Sequence, residues 1–182
     1  MPQDPETRFP YPVGVLRDRW PHTLAYLHEF EDALKKRSGY KRYFKSEDPF
    51  YAIYNVGRET LSEWKAVWRT MSATMDAAVI GPSAAADAHS GQKPGVFKNT
   101  VIFVAVESER EADYLAALLN STWVNYIVRA SNVRGGKSAN ATNVLSTIAI
   151  PKFSAKRPTH RRLAELGHQA RENVATTQRS SR

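Results

Sequence analysis

The chain has 182 residues, 42% of them hydrophobic, no cysteine and a formal net charge of +8 at pH 7. That length and apolar share support a sizeable core, and the lack of thiols excludes disulfides and cysteine-ligated metals and favours an intracellular protein. No apolar run approaches the roughly 20 residues of a membrane span, and the opening MPQDPETRFPYP has neither the basic region nor the apolar core of a secretory signal, so a cytoplasmic protein without a membrane partner is expected.

Residues 1–21 carry five of the ten prolines and read as an extended lead-in segment. Leu24, Leu27, Phe30 and Leu34 then form a helical stripe, with Lys35, Lys36 and Arg37 favouring its C-terminal dipole and Gly39 placed to close it. Tyr40–Phe50 reads as a polar, aromatic loop. Tyr51–Val56 and Trp64–Arg69 alternate and hold β-branched and aromatic residues, so both are predicted strands, with turn material at 55–58 and 60–62 between them. A short strand is predicted at Ala77–Ile80, followed by a small-residue loop over 81–95.

Val101–Val106 is an unbroken, largely β-branched run, which predicts a strand buried on both faces. Ser108 and Glu111 stand at capping-box spacing, Ser closing the third amide of a helix and Glu reaching back to the cap amide. Ala112, Leu115, Ala116, Leu119 and Trp123 continue at helical spacing. A second helix is predicted over 121–131 with Trp123, Tyr126 and Ile127 packed inward. Residues 132–143, NVRGGKSANATN, read as a Gly/Asn/Ser-rich loop, Val144–Ile150 as a last apolar run stopped by Pro151, and the chain from Pro158 as a helix with a Leu163, Leu166, Ala170, Val174 stripe. The final TTQRSSR is expected to be disordered.

Enzyme signatures are scarce. The histidines at 22, 28, 89, 160 and 168 do not form a metal-ligand spacing. Gly135-Gly136-Lys137-Ser138 matches only the end of a phosphate loop and lacks its upstream glycine. Asp48-Pro49-Phe50-Tyr51 is similar to the Asp-Pro-Pro-Tyr motif of adenine-specific DNA methyltransferases but lacks the second proline, and reads as a turn entering a strand. Asp48 with Glu63 and Lys65 fits the permissive pattern of Mg²⁺-dependent nucleases, in which two carboxylates hold the ion and a lysine helps activate water; this is the best enzymatic reading. A non-catalytic protein-interaction domain is a further alternative.

Binding chemistry is more abundant. Residues 129–182 contain 11 Lys/Arg against Glu165 and Glu172, whereas residues 1–128 contain 15 basic and 16 acidic groups. A one-sided basic field suits a polyanion, because neutralising phosphates releases counterions. Lys65 and Arg69 share one face of a predicted strand. Lys98, Asn99 and Thr100 stand at the mouth of the 101–106 strand, with Lys93 upstream. Arg134, Gly136, Lys137, Ser138 and Asn140 lie on the Gly-rich loop. Glycine lets a backbone approach phosphates, and Arg, Lys and Asn side chains read base edges.

Four stretches, LRDRWPHTLAYLHEFEDALKKRS, PFYAIYNVGRETLSEWKAVWR, NTVIFVAVESEREADYLAALLNS and GGKSANATNVLSTIAIPKF, occur in this order. Together they resemble the C-terminal target-recognition (specificity) domain of TaqI-type adenine-specific DNA methyltransferases and type IIG restriction–modification enzymes, over residues 16–168. The resemblance implies an α/β fold, α+β in character, with a small mixed sheet packed by helices. It implies a DNA target-recognition domain over 22–157, which the residue pattern flanks with an extended segment over 1–21 and a C-terminal helix with a basic disordered tail over 158–182. It also implies that Lys65 and the Gly136–Lys137 loop meet double-stranded DNA. Catalysis and S-adenosylmethionine binding would belong to a methyltransferase or nuclease domain or subunit, with no cofactor in this chain. The family's catalytic part is missing from these residues, which would fit a fragment, a free-standing specificity subunit or a decayed gene product.

Overall fold

The computed structural model describes all residues except 1, 5, 73, 85–91, 98–99, 132–145, 147 and 181–182. The chain divides into two compact units, Met1–Leu61 and Ser62–Arg182.

The first unit is helical. It contains α1 (Val13–Arg19), α2 (Pro21–His28), α3 (Glu31–Lys36), α4 (Ser38–Tyr43) and a 3₁₀ turn at Arg58–Leu61. The expected extended segment 1–21 therefore holds a helix, and the single helix expected after it is three short ones. Pro21 sits in the first turn of α2, where its missing N–H has no partner to lose. Leu16, Leu24, Phe50 and Tyr51 form the core, with Leu27 and Leu34 packed against it, while Phe30 turns outward.

The strand expected at Tyr51–Val56 is irregular chain held by side chains. Gln3 is buried; its carboxamide Nε2 donates to Ile53 O, and its Oε1 accepts from Ile53 N at 2.7 Å. Arg37 donates to Phe50 O and Ala52 O at 3.0 and 2.9 Å. Tyr40 Oη donates to Asp48 O at 2.7 Å, and Tyr51 Oη to Tyr11 O at 2.7 Å. These bonds give partners to backbone carbonyls that have none in a ladder. Asn55 takes a φ of 58°, a left-handed value that asparagine tolerates, at the expected turn.

The second unit mixes a small sheet with helices, as expected of an α/β fold. The strands are β1 (Trp64–Arg69), β2 (Ala78–Ile80), β3 (Ser83–Ala84), β4 (Gln92–Lys93) and β5 (Val101–Val106); the helices are α5 (Glu109–Leu119), α6 (Thr122–Ser131) and α7 (Pro158–Ser180). The main sheet has the order β2-β1-β5, and β3 pairs with β4 separately. All pairings among the described residues are antiparallel, where a mixed sheet was expected. β1 is central, with Lys65 opposite Ala105 and Ile80, and Val67 opposite Phe103 and Ala78. The strand buried on both faces is thus β1. β5 is an edge strand, half-buried, with Val104 40% exposed.

α5 starts at a Ser108 cap whose Oγ accepts from Glu111 N at 3.3 Å. Glu111 reaches back to Glu107 N at 3.1 Å, one residue before the expected cap amide. Trp68, Met75, Leu119, Val124 and Val128 form the core between sheet and helices, and Ile148 and Ile150 pack against it. Those two isoleucines belong to the expected apolar run at 144–150, whose described residues are irregular. Pro151 O accepts from Tyr114 Oη at 2.9 Å, and Ser154 N donates to His160 Nδ1 at 3.1 Å.

α7 packs on α5 through small residues and ions. Ala164 is buried, and a Cβ built on Gly167 would lie 2.3 Å from Asp113 O, so only glycine allows this approach. The expected stripe is displaced, since Leu166 and Val174 are exposed. α7 also continues to Ser180, through residues expected to be disordered.

Candidate nucleic-acid interface

Of the residues proposed from the sequence, Lys65, Arg69 and Thr100 are described. Lys98, Asn99, Arg134, Gly136, Lys137, Ser138 and Asn140 lie outside the described residues. So does the expected Gly-rich loop at 132–143.

Lys65 and Arg69 do share a face of β1, four residues apart, but their fates differ. Lys65 was expected to reach outward; it is 0% exposed. Its Nζ donates to Ser62 O and lies 5.7 Å from the centre of the Phe103 ring. Burial pushes its ammonium pKa below the ordinary lysine value. A lysine so enclosed cannot touch a phosphate, and its place in the chain is structural.

Arg69 is exposed at the end of β1 and pairs with Asp76, Nη2 to Oδ2 at 2.8 Å. That bond, with the Thr74 and Ser72 hydroxyls, holds the Asp76 carboxyl below its usual pKa. Thr100 is exposed at the start of β5, and its carbonyl accepts from Thr70 N at 3.0 Å. The antiparallel register therefore brings Arg69 and Thr100 to one end of the sheet. The same end borders a shallow notch lined by Thr74, Met75, Asp76, Asn125 and Arg129. The 74–77 stretch is fixed there by two carboxamides. Asn125 Oδ1 accepts from Met75 N at 2.9 Å and its Nδ2 donates to Met75 O at 3.3 Å; Asn120 does the same for Ala77 at 2.7 and 2.8 Å.

α6 differs most from expectation. Val124 and Val128 are its buried residues, and Ile127 is partly buried. Trp123 and Tyr126, expected inside, are 67% and 65% exposed. Their rings lie 6.2 Å apart, inclined by 20°, and Arg129 continues the outward face one turn on. The sequence offers two overlapping stripes, and the larger aromatics masked the one that packs. A signal was present, since Val124 and Val128 stand four apart on one face of the helix.

The Mg²⁺-nuclease reading gains nothing from the geometry. Asp48 Oδ2 accepts from Lys45 N at 2.7 Å and closes its own turn, and Lys65 is enclosed. Among the described residues, Glu109, Asp113 and His168 gather donor atoms within 4.8 Å of one another. Arg171 already occupies that cluster, donating from Nε to Asp113 Oδ1 at 3.1 Å and from Nη2 to Asp113 Oδ2 at 3.2 Å and to Glu109 Oε1. Asp113 is 2% exposed, so its charge needs this guanidinium, and the cluster fastens α7 to α5.

No helix among the described residues is long and apolar enough to cross a membrane. No family model matches the chain, and no solved structure matches it. The chain is 31% identical over 111 residues to the type II methyltransferase M.NspV of Nostoc sp.. The matched stretch is 61% of this chain and 21% of that protein, so the chain spans about a fifth of the relative it matches. The similarity relates this chain to part of a type II methyltransferase.

Proposed function

We propose that this chain is a sequence-specific double-stranded DNA recognition module of an adenine-specific methyltransferase or restriction–modification system. The 111-residue similarity to part of a type II methyltransferase carries this reading. The charge pattern supports it: residues 114–164 hold eight Lys/Arg and no Asp or Glu, the composition of a surface that meets phosphates. In this reading S-adenosylmethionine binding and methyl transfer belong to a methyltransferase domain or subunit that the module positions. Arg69 and Thr100 at the sheet end, with Lys98, Asn99 and the Arg134, Gly136, Lys137, Ser138, Asn140 loop, are the proposed DNA contacts. Lys65, being enclosed, supports the sheet instead.

Fluorescence anisotropy with duplex DNA tests the proposal. Wild-type chain is expected to bind with an affinity that falls steeply with salt, and Arg134→Ala with Lys137→Ala is expected to weaken binding while reducing the salt slope by about one per residue. Absence of duplex binding at low salt sinks the reading.

A further inference from the structure

The exposed face of α6 carries two large aromatic side chains. Isolated surface apolar side chains are ordinary. Here two large aromatics stand one helical turn apart, both about two-thirds exposed, on a helix whose opposite face is anchored by Val124 and Val128 in the core. Packing does not need the rings, because α6 is already fixed by those valines and by the Asn125 carboxamide on Met75. The rings are held nearly parallel, 6.2 Å apart, so little side-chain freedom remains to be lost on binding. Arg129 extends the row, and among the described residues it has no ion pair.

The charge around the pair selects its occupant. α6 contains no acid, and it lies within the acid-free stretch 114–164. A protein partner would need only an apolar surface. An aromatic pair beside Arg129, within a stretch of sequence that holds eight Lys/Arg and no acid and with Asp76 the one acid lining the notch that Arg129 borders, matches a ligand that is anionic outside and flat and aromatic inside, as a nucleic acid is.

We infer that Trp123 and Tyr126 form a stacking platform for nucleobases of the bound duplex, with Arg129 on the adjoining phosphate. This rests on the DNA-recognition reading and assigns it a surface the sequence did not disclose. The rings meet a base face in one of two ways, as a wedge into a paired step or as a shelf for a base already unpaired. In both, the affinity they supply is insensitive to salt, while that of Arg129 is not.

The test uses the full chain with three variants, Trp123→Ala/Tyr126→Ala, Trp123→Phe and Arg129→Ala, and two DNAs, a fully paired duplex and the same duplex with one unpaired base. The double alanine variant is expected to lose affinity by roughly tenfold or more, with an unchanged slope of log K against log salt and an unchanged unfolding midpoint. Trp123→Phe should keep most of the affinity. Arg129→Ala should lower the salt slope by about one. Equal losses on both DNAs identify the wedge, and a larger loss on the unpaired duplex identifies the shelf. If wild type binds duplex and the double variant binds it equally well, the platform is overturned while DNA recognition stands. If the double variant changes sedimentation behaviour but not DNA affinity, the rings serve a protein contact and the platform is again overturned. If wild type does not bind duplex at all, the broader proposal fails first.

Discussion

At the scale of single residues, Lys65 shows how position overrides chemistry. Its sequence context advertises a surface cation, but the central strand of an antiparallel sheet encloses it. Its stem is useful apolar volume, and its charge is a cost only partly offset by the Ser62 carbonyl and the Phe103 ring. Lys65→Met keeps the stem and removes the charge. The variant is expected to unfold at a higher temperature than wild type at pH 7. The folded-state pKa of Lys65 lies below its unfolded value of 10.5. The burial cost is therefore present in full below the folded-state value and is relieved as pH rises towards 10.5. The advantage of methionine should shrink over that window, as followed by circular dichroism melts at stepped pH. A methionine variant markedly less stable at pH 7 would mean that the ammonium bond outweighs desolvation. Lys65→Ala also leaves a cavity and should cost about 2–4 kcal/mol.

At the scale of elements, the contact of α5 with α7 depends on one missing side chain. A Cβ at Gly167 would meet the Asp113 backbone oxygen, which cannot swing aside as a flexible side chain would. Gly167→Ala is expected to push α7 outward and to destabilise the unit by about 1–3 kcal/mol in chemical denaturation, despite alanine's better helix propensity. A neutral or stabilising result would show that α7 slides along α5 at no cost. Elements with one clean period were legible in the sequence. β1, β5, the Ser108 cap and α5 were all read with the right type and nearly the right ends. What escaped depends on tertiary packing. The choice between the valine and aromatic stripes of α6 is made by Trp68, Met75 and Leu119, which come from elsewhere in the chain. The 51–56 segment looked like a strand because its residues suit one, yet Gln3 and Arg37 supply the partners a neighbouring strand would have given. The double burial assigned to β5 belongs to β1 because sheet order is not written in any local run.

At the scale of the molecule, charge is unevenly shared between the two units. Residues 1–61 hold ten basic and nine acidic groups, whereas residues 62–182 hold 16 and nine. Neutralising the exposed Lys152, Lys156 and Arg157 should therefore weaken duplex binding and flatten its salt dependence by up to three. The matched change at Lys36, Lys41 and Arg42 should alter the slope little. Anisotropy titrations at several salt concentrations separate the two, and equal effects would place the DNA over the first unit as well. The type II methyltransferase similarity and the mixed α/β fold agree with the sequence reading at this coarse level. The finer choice of contact residues was only partly legible, because side-chain exposure is decided by which strand becomes central.

The Asn120 and Asn125 carboxamides carry a mechanical consequence. Each grips the N–H and C=O of one residue in the chain leading into β2, Asn125 from α6 and Asn120 from the end of α5, so the α5–α6 corner and the sheet margin are tied together. A load on the outer face of α6 would then be felt as torque at Met75 and Ala77. Their amide protons are thus natural strain gauges, whose exchange with solvent water should slow when α6 is clamped, and quicken at Met75 when Asn125 is replaced by alanine and at Ala77 when Asn120 is.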